Sequence, residues 1–162
     1  MMGGMWMFRK SRSQSKEIPL PVIWKLDGLE YEEFNLYDNN RNKSYFAIRN
    51  IPFDQGVTSE SIRLFEKLKH KFSQFTQAKI NASNFINPLV RDSEENEDKD
   101  YLVMLDDHGN QLHLTGCTCG YTGTGPHGTL EILNKAGFSV DKRFVFYAQA
   151  FSLPRLNEDN EL

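Results

Sequence analysis

Residues 111–128 read Gln-Leu-His-Leu-Thr-Gly-Cys-Thr-Cys-Gly-Tyr-Thr-Gly-Thr-Gly-Pro-His-Gly. An apolar strand here runs into a glycine loop, and the loop into a helix. Pro126 suits the first turn of that helix because it has no N–H to leave unpaired. The helix continues through Leu130, Leu133 and Ala136, and Gly137 closes it. Further on, Phe144, Phe146 and Ala148 alternate with Val145, Tyr147 and Phe151. Both faces are apolar, the pattern of an interior strand. A strand over 111–118, a helix over 126–137 and a strand over 143–151 predict one βαβ unit, right-handed and with parallel strands.

Outward from that unit the pattern is antiparallel. Val22–Leu26 and Leu29–Tyr37 flank Asp27-Gly28, a strong two-residue hairpin turn. Residues 38–42 form a second turn, and a third strand over 44–48 ends before Pro52. Thr58 reads as an N-cap with Glu60 in the first turn. Ile62, Phe65, Leu68, Phe72 and Phe75 then make a helical stripe of about five turns. Its other side, with Arg63, Lys67, Lys69, His70 and Lys71, is a solvated face. Residues 101–105 and 111–115 flank Asp106–Asn110 as a second hairpin. The expected fold is therefore α+β: a mixed, mainly antiparallel sheet of about six strands, two helices and one C-terminal βαβ unit.

A single domain over 18–156 is expected, as 162 residues are enough for a real core. Residues 1–17 are methionine-rich, then basic, and read as a mobile segment or as a clip carried by Trp6 and Phe8. Asp92, Glu94, Glu95, Glu97, Asp98 and Asp100 make an acidic loop over 91–100 without the central glycine of a calcium loop. Residues 157–162 form an acidic tail. The net charge of −3 argues against nucleic acid as a partner, which needs a basic surface. No apolar run reaches the ~18 residues of a membrane span. Two cysteines two residues apart make no disulfide framework, which points to a reducing, cytoplasmic setting.

Residues 113–128 hold both cysteines, two of the four histidines and five of the eleven glycines, so candidate chemistry concentrates there. Gly123-Thr-Gly125-Pro-His-Gly128 fits G-x-G-x-x-G, but the acid that would hold a ribose is missing from the end of the next strand. A phosphate P-loop fails because Pro126 and His127 stand where lysine and a hydroxyl residue belong. A looser anion site remains. Gly120, Gly123, Gly125 and Gly128 let backbone amides approach a ligand, and a helix N-terminus adds free N–H groups. Tyr121, Thr122, Thr124 and His127 supply side chains, and Arg155 would arrive from the same sheet edge.

His113, Cys117, Cys119 and His127 are candidate metal ligands, since in an extended strand the first three share one face. Cys119 with His127 is a candidate nucleophile and base. The leading expectation is a small non-catalytic domain, with no cofactor, that sequesters or senses a nucleotide-like or other anionic ligand through 116–128. The alternative is a protein-interaction module, such as an inhibitor or immunity protein, using acidic surface and a sheet edge. A cysteine-dependent enzyme is the third.

Overall fold

The structure, a computed structural model, describes residues 20–38, 41–51, 56–82 and 99–155. The expected N-terminal segment 1–17, the acidic tail and most of the acidic loop lie outside these residues. The described chain forms β1 (Val22–Leu26), β2 (Leu29–Asp38), β3 (Lys43–Asn50), α1 (Thr58–Leu68), β4 (Phe75–Ile80), β5 (Leu102–Asp106), β6 (Gln111–Leu114), α2 (Thr124–Lys135), α3 (Lys142–Tyr147) and β7 (Phe151–Pro154). The seven strands form one sheet in the order β1-β2-β3-β6-β5-β4-β7. The β3/β6 pair is parallel and the other neighbours are antiparallel. The fold is α+β, with one more strand and one more helix than the sequence predicts.

Both predicted hairpins form. Asp27 and Gly28 take the positive φ values (50° and 82°) that a tight two-residue turn demands, and Leu26 pairs with Leu29. In the β5–β6 hairpin, the Asp106 carboxylate accepts from the N–H groups of His108 (3.0 Å), Asn110 (2.9 Å) and Ser73 (3.1 Å). It thereby fixes the turn and ties it to the start of β4.

The C-terminal βαβ unit is corrected. Residues 142–147 are helical, because the Asp141 carboxylate accepts from Arg143 N–H (2.7 Å) and starts a short helix. The following strand is only β7, which pairs antiparallel with β4 at the far edge of the sheet rather than beside β6. The predicted strand over 111–118 ends at Leu114, where Cys117 N–H folds back to Leu114 O (3.1 Å). The true crossover is β3–α1–β4, whose two strands run in the same direction. It skips two positions in the sheet, and the β5–β6 hairpin fills them.

The long helical stripe is also divided. Leu64, Phe65 and Leu68 are buried on α1, which ends in a 3-10 turn at Lys69–Lys71. Phe72 is already extended and Phe75 opens β4. The stripe still packs as one patch, with Phe65–Phe75 at 6.3 Å and Phe72–Phe75 at 5.2 Å between ring centres.

All three helices lie on one face of the sheet. Leu64, Ile132, Leu133 and Val145 pack there with Leu29, Ile48, Ala78, Leu102, Met104, Leu112 and Leu114. Fully burying each of the Leu, Ile, Val and Met side chains contributes about 1.5–3 kcal/mol. Among the described residues no helix is long and apolar enough to cross a membrane.

Candidate functional site

β3 and β6 end side by side, and each hands the chain to a helix on the same face. A hydrogen-bond cluster locks the two exits together. Asn50 Oδ1, at the end of β3, accepts from Thr115 N–H (3.1 Å) and from the Ser61 hydroxyl (2.8 Å). Ser61 Oγ accepts from Gly116 N–H (2.8 Å), and the Thr58 hydroxyl donates to Gly116 O (2.7 Å). Gly116 lies so close to the backbone of Val57 and Thr58 that any Cβ would collide with it. Gly128 faces the Thr58 methyl in the same way. These glycines let α1 and α2 start from one point.

The two starts enclose an open cleft of about 690 Å³. Gly56, Val57, Thr58, Ser59 and Ile62 line it from the α1 side, and Thr124, His127, Gly128 and Glu131 from α2. Ser61 N–H closes the first turn of α1 onto Val57 O (3.0 Å), and His127 N–H closes that of α2 onto Gly123 O (3.1 Å). Among the described residues neither helix start has a side-chain cap, its N-cap residue being Val57 or Gly123. Each end therefore presents orphan N–H donors and about half a positive charge. The predicted N-cap role of Thr58 is corrected: Val57 is the cap position, and the Thr58 hydroxyl is spent on Gly116 O. Glu131 adds a carboxylate to the wall, but it faces Lys135 Nζ at 2.8 Å.

The predicted ligand residues separate into two groups. Thr124, His127 and Gly128 line the cleft, and Gly123 caps α2. The others shape the loop. Gly125 is buried, and its carbonyl accepts from Thr118 N–H (3.4 Å) and the Thr129 hydroxyl (3.2 Å). Gly120 has a φ of 91° and donates to Val145 O (3.0 Å), pinning the loop to α3. Tyr121 is exposed, with its hydroxyl 2.9 Å from Thr118 Oγ1, and Thr122 is exposed beside it. Arg155 is not at the loop. Its guanidinium packs on Gly137, beyond the C-terminal end of α2, so the predicted approach of Arg155 is corrected along with the βαβ unit that implied it.

The candidate metal ligands are also parted. His113 points to the helix-free face of the sheet, whereas Cys117 belongs to the core on the helix side. The chain turns at Thr115–Gly116, so the shared strand face predicted for them does not form. Among the described residues no group of three His, Cys, Asp or Glu side chains is placed to hold a metal. Burial pushes the Cys117 thiol up to about 12 and raises that of half-buried Cys119, which works against a thiolate at either position. His127 is exposed and meets the Phe146 ring edge-on at 4.8 Å.

Sequence reasoning missed the α1 wall, Gly56–Ser59 and Ile62. The signal was Gly56 followed by Thr58-Ser59, a loop glycine and two small hydroxyl residues at a helix start. It also missed a buried polar row on the helix-free face. Glu32, Arg49 and His113 are direct cross-strand neighbours. Arg49 meets Glu32 at 2.6 Å and lies 4.9 Å over the Phe34 ring. Burial pulls its guanidinium down, but bonds to Tyr101 and Glu32 outweigh that and hold it above its ordinary value. His113 is fully buried between the Tyr101 hydroxyl (3.2 Å from Nδ1) and Gln111 Oε1 (2.9 Å from Nε2).

No protein-family model, no curated protein and no solved structure matches this chain.

Proposed function

We propose that this protein is a small non-catalytic domain that sequesters or senses an anionic, nucleotide-like ligand at the cleft between the starts of α1 and α2. One observation carries the reading: two uncapped helix N-termini open on one cleft of about 690 Å³. Pockets of this size suit small molecules, and helix N-termini favour phosphate or carboxylate groups. The Thr124 and Ser59 side chains border the same space as the His127 imidazole and can complete an anion's hydrogen bonds. Two free thiols, Cys117 and Cys119, suit a reducing compartment such as the cytoplasm.

A thermal-shift screen of mononucleotides, cyclic dinucleotides and inorganic phosphate tests the reading. A true ligand at a hundred times its Kd stabilises the fold by about 2.7 kcal/mol. Thr124→Glu places a carboxylate at the start of α2, which stabilises that helix end by about 0.3–1 kcal/mol while repelling an anion. The expected outcome is an unchanged or raised melting temperature with the ligand shift lost. No shift with any compound, or a shift that survives both Thr124→Glu and Ser59→Glu, overturns the proposal.

A further inference from the structure

Among the described residues β1 is the outer strand of the sheet and pairs with β2 alone. Its free edge bares alternate N–H and C=O groups, an arrangement that proteins normally cover or blunt. Beside that edge Leu20 is 87% exposed, Ile23 61%, Val22 51% and Trp24 48%. Val22 and Trp24 share one face of this edge and Ile23 lies on the other, an apolar margin of the kind that marks an interaction surface. The hairpin that bears it is acidic, with Asp27, Glu30, Glu32, Glu33 and Asp38 against Lys25. Asp27, Glu32 and Asp38 are matched within the fold by Lys67, Arg49 and Arg41. Glu30 meets Lys25 of β1 at 3.9 Å, and Glu33 sits opposite Val22.

We propose that residues 1–19 of the same chain, which lie outside the described residues, dock on this edge. Met5-Trp6-Met7-Phe8 would run along β1, with the basic stretch behind it against Glu30 and Glu33. Length permits this: residues 9–19 reach ~36 Å when extended, about twice the ~17 Å of a five-residue strand. Polarity fits as well. Trp6 and Phe8 share one side of an extended run, and Val22, Trp24 and Leu26 share one face of β1. Charge is complementary, because the segment holds Arg9, Lys10, Arg12 and Lys16 against the single acid Glu17. The segment is tethered directly to the strand, so its effective concentration there is in the mM range, which favours it over a separate partner.

The chain has two tryptophans, Trp6 and Trp24, so fluorescence of the full chain reads each alone. In Trp24→Phe, Trp6 should emit to the blue of a solvated indole, and acrylamide should quench it several-fold less than in urea. In Trp6→Phe, Trp24 should be similarly shielded, and adding Phe8→Ser should expose it while the far-ultraviolet circular dichroism is unchanged. Glu30→Lys with Glu33→Lys should loosen both signals. Full quenching of Trp6 in the folded chain overturns the proposal. So does shielding of Trp6 that leaves Trp24 indifferent to Phe8→Ser, which means another docking place. Shielding lost on dilution overturns it in favour of a second copy as the occupant.

Discussion

His113 shows how one residue can govern the pH response of a fold. It is enclosed on the helix-free face by β3, β5 and β6, and the charged groups near it are Arg49, Lys79 and Lys99, with Glu32 already paired to Arg49. Burial first, and those three cations second, hold its imidazole well below the ordinary 6.5. The neutral ring is what its partners require. If Nε2–H donates to Gln111 Oε1, Nδ1 is left to accept from the Tyr101 hydroxyl. The unfolded chain takes up a proton near pH 6.5 that the folded chain refuses. Stability is therefore full above about pH 7 and falls below pH 6.5, by about 1.4 kcal/mol per pH unit. Urea midpoints from pH 7.5 to pH 5 should show this slope, and His113→Gln should flatten it even if the variant is less stable throughout. Parallel profiles for the two proteins would assign the acid sensitivity elsewhere.

At the scale of elements, the α1–α2 contact turns on the absence of one side chain. A Cβ at position 128 would press on the Thr58 methyl, with Cys117 Sγ at 3.5 Å and Ile62 Cδ1 at 3.7 Å. Alanine gains up to about 1 kcal/mol over glycine inside a helix, but overpacking costs about 1–3 kcal/mol. Gly128→Ala should therefore lower stability by about 1 kcal/mol. In a Thr58→Ser background the methyl is gone and the hydroxyl bond to Gly116 O is kept, so the same change should become stabilising. Denaturant midpoints of the four proteins in this cycle give the coupling directly, and additive effects would remove the contact from the account. This contact was only half legible in the sequence. Gly128 was visible as part of a glycine loop, but its reason, the Thr58 methyl, lies far off in sequence on α1. The Asp27-Gly28 and Asp106–Asn110 hairpins were legible because turn chemistry is local. β4 was hidden because Phe72 and Phe75 continue the helical spacing of α1 into a different element. α3 was hidden because a run apolar on every side has no period to read, although Asp141 ahead of it was a usable cap signal.

At the scale of the molecule, the chain order poses a topological problem. β3 and β4 are placed by the α1 crossover with a gap of two strands between them, and the later β5–β6 hairpin must fill that gap. The β5–β6 hairpin and the β2–β3 hairpin are both local in sequence and paired on both outer sides, but β2 and β3 keep exposed positions that β5 and β6 lack. All strand residues of β5 and β6 are buried. The β5–β6 hairpin is therefore the natural nucleus, because it repays the loop closure of the crossover as soon as it inserts. The β1–β2 hairpin is equally local, but it lies at the margin, and its outer strand is largely exposed. Asp106→Asn removes a charged acceptor from the central turn, and Gly28→Ala strains a turn position with a φ of 82° at the edge. Each change should cost about 1 kcal/mol, enough for a reliable comparison of rates. Chevron analysis should show Asp106→Asn mainly slowing folding and Gly28→Ala mainly speeding unfolding. The reverse pattern would place the nucleus in the N-terminal meander, with the sheet growing from β2 and β3 toward β7 and the central hairpin entering last.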